Sequence, residues 1–84
     1  MEIREEKAAI IGIFIKDFDA VPRVNGILHD YAEDIIGRIG IPCRAKDLHV
    51  ISIILSTTPD RISALSGKLG RIEGITAKAM QANL

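Results

Sequence analysis

The segment KAAIIGIFIK, from Lys7 to Lys16, sets the architecture of the chain, because its β-branched residues and its length are typical of a buried strand. Side chains of a strand alternate between its two faces. One face of this strand carries only isoleucines: Ile11, Ile13 and Ile15. The opposite face carries Ile10, Gly12 and Phe14. Both faces are therefore apolar, which predicts that something covers each of them.

A second apolar strand is predicted from Leu48 to Ser56, and it has the same property. One of its faces carries Ile51, Ile53 and Leu55, and the other carries Val50, Ser52 and Ile54. An antiparallel sheet with one solvent-exposed face shows polar residues on that face. The pattern predicts that these two strands lie in the middle of a sheet whose two sides are both covered.

The remaining segments predict two helices and two further strands. They are a helix over Val21–Ile35 with Pro22 in its first turn, a strand over Ile36–Cys43, a helix that begins at Thr57-Thr58-Pro59-Asp60 and ends at Gly70, and a strand over Ile75–Gln81. The order strand, helix, strand, strand, helix, strand predicts an α+β protein with the ferredoxin-like βαββαβ fold, in which two helices cover one face of a four-stranded antiparallel sheet. We expect one domain over residues 1–84, in which residues 1–6 are flexible.

Two glycines of the second helix lead to specific expectations. Gly70 is expected to end the helix in the left-handed conformation that glycine adopts easily. Gly67 weakens the middle of the same helix, so we expect a close packing contact there that compensates for the loss.

Two helices can cover only one face of a four-stranded sheet, so the second face needs another cover. We assign the purely aliphatic faces of the two central strands to the helices. The other face is expected to lie between subunits, since subunit interfaces tolerate some polarity. Its predicted residues are Ile10, Gly12, Phe14, Val50, Ser52 and Ile54. Large exposed apolar patches are unusual on monomers, so we expect a homo-oligomer, either a dimer or a tetramer, and the alternative is an unusually apolar monomer.

The composition argues against several classes of function. The 11 Lys and Arg residues balance the 11 Asp and Glu residues, whereas nucleic-acid-binding domains usually have a basic surface. The single cysteine excludes an internal disulfide framework and fits a reducing compartment. The apolar runs fall far short of the roughly 20 residues of a membrane helix, and the charged start MEIREEK is unlike a signal peptide. We therefore expect a cytoplasmic protein that binds neither nucleic acid directly nor membranes.

Three segments resemble a known family. They are VNGILH at residues 24–29, EDIIGRIGIP at residues 33–42 and ALSGKLGRIEGI at residues 64–75. With the flanking strands, the chain is similar over nearly its whole length to the regulators of the iron-only hydrogenase system. The resemblance implies an ACT-like fold, close to the C-terminal domain of the nickel-responsive repressor. It also implies a homo-oligomer with a regulatory role.

The same resemblance points to a candidate effector site. ACT domains bind small effectors near the loop from the first strand to the first helix, where the usual pattern is Asp-x-Pro-Gly-x-Leu. This chain has DAVPRV at residues 19–24, so the spacing differs by one residue and Arg23 replaces the glycine. Arg23 hinders backbone approach but can itself bind a carboxylate. The candidate residues are Asp19, Arg23 and Asn25, and the alternative is a capped helix start with solvated charges.

Metal binding and catalysis have weaker support. His29 is expected on the exposed face of the first helix, while His49 and Cys43 flank a hairpin and are expected to lie close together. The closely spaced histidine pair of the nickel-responsive relatives is absent, so we expect no metal site and no cofactor. No nucleophile lies in a catalytic pattern. The adjacent Glu33 and Asp34 are expected to be solvated, and the chain is not expected to be an enzyme.

These observations lead to one main hypothesis and two alternatives. The main hypothesis is an ACT-like regulatory domain that binds a small effector at a subunit interface. The first alternative is a scaffold that binds a partner protein without sensing a ligand. The second is a metal-responsive module.

Overall fold

The computed structural model describes residues 6–82, and these form four strands and two helices. The strands are β1 (Lys7–Ile15), β2 (Ile35–Cys43), β3 (Leu48–Thr57) and β4 (Ile75–Gln81), and the helices are α1 (Val21–Asp30) and α2 (Pro59–Gly70). Short 3₁₀ turns at Phe18–Ala20 and Arg44–Lys46 precede α1 and β3. Of the head that was predicted to be flexible, residues 1–5 lie outside the described residues.

The four strands form one antiparallel sheet in the order β2-β3-β1-β4. The predicted ferredoxin-like fold is therefore confirmed, with the two isoleucine-rich strands in the middle of the sheet. Ile11 lies opposite Ile53, and Ile13 lies opposite Ile51, so the two aliphatic faces coincide. The central pairing is set by apolar side chains that share one buried surface.

Both helices cover this aliphatic side of the sheet, as predicted. The core combines strand residues with the apolar stripes of the two helices: Ile11, Ile13, Ile15, Ile51, Ile53, Leu55, Val24, Leu28, Ile62, Leu65 and Leu69. The start of α2 is fixed by Thr58, whose hydroxyl accepts a hydrogen bond from the Arg61 backbone N–H at 3.4 Å, and by Pro59 in the first turn.

The first helix ends earlier than the sequence predicts. It stops at Asp30, and turns lead into β2 at Ile35. Asp34 lies in this connection and is buried, which corrects the expectation that it is solvated. Its carboxylate is paired with Arg61 of α2, while Glu33 is exposed. Asp34, which the sequence places at a helix end, thus connects the start of β2 to α2.

The expectation for Gly70 was wrong, and the one for Gly67 finds no support within the described residues. Among the described glycines, only Gly74 has a positive φ, at 84°, and Gly70 is an ordinary last helical residue. A Cβ added at Gly67 would have no described atom within 4 Å, so no contact within the described chain compensates for this glycine. Gly74, directly before β4, adopts the left-handed conformation that was predicted for the helix end, and glycine reaches that conformation at little cost.

No helix among residues 6–82 is long and apolar enough to cross a membrane.

Candidate functional site

The side of the sheet that carries no helix is broadly apolar, and we call it the open face. All six residues predicted for the subunit interface lie on it, since their register pairs place them opposite one another: Ile10 with Ile54, Gly12 with Ser52, and Phe14 with Val50. The large apolar side chains of this face are 40% exposed at Ile54 and up to 67% exposed at Met80. Whether a second subunit covers this face stays a prediction.

The outer strands extend the open face beyond the predicted residues. Ile39 and Ile41 of β2 lie opposite Ser52 and Val50, and Met80 of β4 lies opposite Ile10. All three are strongly exposed. Sequence reasoning missed them because it considered only the central strands. The alternation of Ile39 and Ile41 around a glycine was the signal that could have found them.

The open face is corrugated, because small residues interrupt the apolar ones. A Cβ added at Gly12 would have no described atom within 4 Å, although Gly12 lies in the middle of a central strand. The residue opposite Gly12 on β3 is Ser52, which is also small. Beyond Ile10, a depression of about 360 Å³ is lined almost entirely by apolar side chains, among them Ala8, Ile54 and Met80. The face therefore offers ridges and grooves rather than a flat surface.

Asp19 and Arg23, two of the three predicted effector residues, lie in one shallow depression of about 260 Å³. Asp17 and Glu73 line the same depression, so three acidic residues and one arginine contribute to its surface. The Asp17 side chain accepts a hydrogen bond from the Asp19 backbone N–H at 3.0 Å, which fixes the start of the turn. Sequence reasoning missed Glu73, since it is distant in the sequence and comes close only through the turn before β4.

Asn25, the third predicted effector residue, lies elsewhere. Its side-chain oxygen accepts a hydrogen bond from Arg38 of β2 at 2.7 Å. The two residues line a different depression of about 310 Å³, together with His29. The structure therefore does not bring Asn25 into the group formed by Asp19 and Arg23.

The histidines and the cysteine do not converge. Cys43 lies opposite Leu48, and His49 lies opposite Pro42, so Cys43 and His49 occupy successive register positions. Successive positions point to opposite faces of a sheet, so the two residues are neighbours along the hairpin, as expected, but their side chains point to opposite sides. Consistent with this, the His49 ring lies over Gly40, on the helix side. Among residues 6–82, no group of three or more metal-binding side chains is found.

Comparison with known proteins identifies a family and a related structure. The model of the TM1266-like family, described as "Iron-only hydrogenase system regulator, putative", matches residues 7–79. The solved structure of the uncharacterized protein TM1266 from Thermotoga maritima is similar, with 38% sequence identity and a TM-score of 0.89. The similarity covers 94% of this chain and 100% of that one. No match is found among the curated proteins.

Proposed function

Since this chain belongs to the TM1266-like family of iron-only hydrogenase system regulators, we propose that it is a homo-oligomeric regulatory domain that acts by binding rather than by catalysis. Its two helices are separated by β2 and β3, so they do not form a helix-turn-helix. Direct DNA binding through such a motif is therefore not part of the proposal. Regulation would instead depend on association with a second copy of the chain, on a small effector and on contacts with another protein.

The observation that carries the proposal is the open face. Four strands at about 4.8 Å spacing and seven residues at about 3.3 Å rise give a face about 20 Å on each side. Such a face covers about 400 Å², which is in the size range of the largest apolar patches on monomers, and patches of this size are often functional. A standard interface buries about 800 Å² on each partner, about twice this flat area, so the relief of the side chains and the edges of the face would have to supply the rest. The formal net charge of the chain is zero, so no net like charge opposes the association of two copies.

We propose that the depression around Arg23 receives a small zwitterionic effector. Arg23 offers a guanidinium to a carboxylate, and the carboxylates of Asp17, Asp19 and Glu73 offer partners to an ammonium group. Both charges of an amino acid would therefore find a partner in one depression. An effector can shift the assembly only by binding one arrangement more tightly than another.

Sedimentation of Phe14→Glu tests the oligomer. Phe14 lies on the open face, and Phe18 is similarly exposed but lies in the turn before α1, so Phe18→Glu is the matched control. We expect the wild type and the control to sediment as oligomers at micromolar concentration. Phe14→Glu should raise the dissociation constant by about 100-fold, because it places a charge in an apolar interface. A wild type that is a folded monomer at these concentrations would contradict the proposal.

A thermal-shift screen with free amino acids tests the effector. At a concentration 100 times its dissociation constant, a ligand stabilises the fold by about 2.7 kcal/mol, which is a readily measured shift. Arg23→Gln should abolish that shift, while Arg44→Gln, in the turn between β2 and β3, should keep it. The absence of a shift with every amino acid would remove the sensing part of the proposal and leave the oligomer untouched.

A further inference from the structure

The open face has a corrugation that follows the strand register. Register pairs arrange its side chains in rows that run across the strands. The first row contains Ile41, Val50, Phe14 and Thr76. The second contains Ile39, Ser52, Gly12 and Lys78, and the third contains Gly37, Ile54, Ile10 and Met80. The fourth pairs Ser56 with Ala8 and borders the apolar depression.

Near the middle of the sheet, these rows alternate between high and low. The first row is a ridge, because Val50 and Phe14 stand beside each other on the two central strands. The second is a groove at Ser52 and Gly12. The third is a ridge again, formed by Ile54 and Ile10, and the fourth falls into the depression above Ala8. The sequence of levels along the strands is therefore ridge, groove, ridge, groove.

The order ridge, groove, ridge, groove is complementary to the same order read in the reverse direction. A two-fold axis that runs across the strands, between the second and third rows, reverses the order of rows in the partner. Each ridge of one copy then meets a groove of the other, while each central strand lies over its own counterpart. Because interfaces pack as densely as protein interiors, this register is favoured over one that sets groove against groove and leaves a void.

We propose that two copies of this chain pack their open faces in this reversed register. The partner's Phe14 then fills the depression above Ala8, and the partner's Ile10 fills the groove at Gly12. The contact is isologous, so the same two insertions occur in both directions. This inference rests on the proposed homo-oligomer and adds to it the identity of the surfaces in contact. It also explains why a central strand keeps a glycine at position 12, where no neighbour within the described chain requires one.

Crosslinking between Val50 and Ser56 tests the register. On β3 these residues belong to the first and fourth rows, so reversal places Val50 of one copy over the partner's Ser56. Within one chain they lie about 20 Å apart. In a Cys43→Ser background, the double variant Val50→Cys with Ser56→Cys is treated with a bismaleimide that spans about 10 Å, the distance between packed sheets. We expect at least about ten times more crosslinked dimer from the double variant than from either single variant, since like positions stay about 20 Å apart.

Filling the groove provides a second test that does not depend on crosslinking. Gly12→Leu should raise the dissociation constant of the dimer at least tenfold, because the partner's Ile10 loses its space. Gly26→Leu is the matched control, since Gly26 lies on α1 and also has no described atom within 4 Å of an added Cβ. A circular dichroism melt of each variant confirms that it is folded.

The outcomes separate the register from the proposed function. A sedimenting dimer without the Val50–Ser56 crosslink would overturn the register and leave the homo-oligomer standing. A dimer that crosslinks equally in a single variant would overturn it as well. A wild type that stays monomeric would overturn both. A crosslink confined to the double variant, together with weakened association of Gly12→Leu, supports the register.

Discussion

Oδ2 of Asp34 lies 2.8 Å from Nε and 2.7 Å from Nη2 of Arg61, and this pair joins the start of β2 to the first turn of α2. Asp34 is only 8% exposed, and Arg61 also lies 4.8 Å from the ring centroid of Tyr31. Charge-assisted hydrogen bonds are stronger than neutral ones, although solvent screens the exposed part of the guanidinium. We expect Asp34→Ala to lower the melting temperature by about 5 °C. Glu33→Ala, at the exposed neighbouring position, is the control and should leave it nearly unchanged.

The pair should stabilise the fold equally across the neutral pH range. The hydrogen bond to the Asp34 carboxylate raises the pKa of Arg61 above an ordinary value that is already far above neutrality. A raised folded-state pKa gives a contribution that is complete below the unfolded-state pKa and is lost only as the pH rises through the folded one. Denaturant melts at pH 6 and pH 9 should therefore give the same difference in the free energy of unfolding between Asp34→Ala and the wild type, since Arg61 stays charged at both pH values. A difference that shrinks at pH 9 would contradict this assignment.

Thr57 is expected to be a position where one substitution stabilises the protein. Its side chain is 1% exposed at the end of β3, and its hydroxyl has no hydrogen-bond partner among residues 6–82. Valine has nearly the same shape, favours strands and removes the uncompensated burial of a hydroxyl. We expect Thr57→Val to raise the free energy of unfolding by about 1 kcal/mol. Thr57→Ala should lower the free energy of unfolding, because alanine removes the methyl group that packs in the core as well as the hydroxyl. Urea melts of the two variants distinguish the loss of the hydroxyl from the loss of packing.

Gly74 and Gly70 should respond in opposite ways to alanine. An added Cβ at Gly74 would lie 2.8 Å from the Cβ of Asp17, and the φ of 84° is unfavourable for alanine. We expect Gly74→Ala to destabilise the fold by about 1–3 kcal/mol. Gly70 has no described atom near an added Cβ and lies in the last turn of α2, so Gly70→Ala should be neutral or stabilising by up to about 1 kcal/mol. Equal losses in the two variants would mean that backbone conformation does not distinguish these positions.

The sequence predicts the fold well because its strongest signals are periodic. The two central strands and the stripes of both helices appear directly in the spacing of isoleucine and leucine, and the sheet order follows from the order of elements. The features that the sequence predicts wrongly depend on the backbone conformation of single residues. Gly70 was wrongly predicted to be left-handed, whereas the glycine with a positive φ is Gly74, where an added Cβ would meet Asp17.

The candidate sites were less predictable, since they depend on pairs that are distant in the sequence. Asp34 looks like a solvated helix residue until Arg61, 27 positions later, is placed beside it. Asp19 and Arg23 are near neighbours and stay together, whereas Asn25 turns toward Arg38 of β2. Arg23 and Asn25 are two positions apart on α1, and two positions on a helix differ by about 200° in direction, so these neighbours in sequence point to different sides.

Removal of His49 or Cys43 should not change the response of the protein to metal ions. The two residues occupy successive register positions across β2 and β3, so their side chains lie on opposite faces of the sheet and cannot bind one ion within a single chain. We expect Zn²⁺ and Ni²⁺ to shift the melting temperatures of the wild type, His49→Ala and Cys43→Ser by equal amounts. His29→Ala, at an exposed position of α1, is the control for adventitious binding by a single imidazole. A stabilisation of the wild type that both His49→Ala and Cys43→Ser abolish would instead indicate a shared metal site, which requires ligands from a second subunit and would favour the metal-responsive alternative.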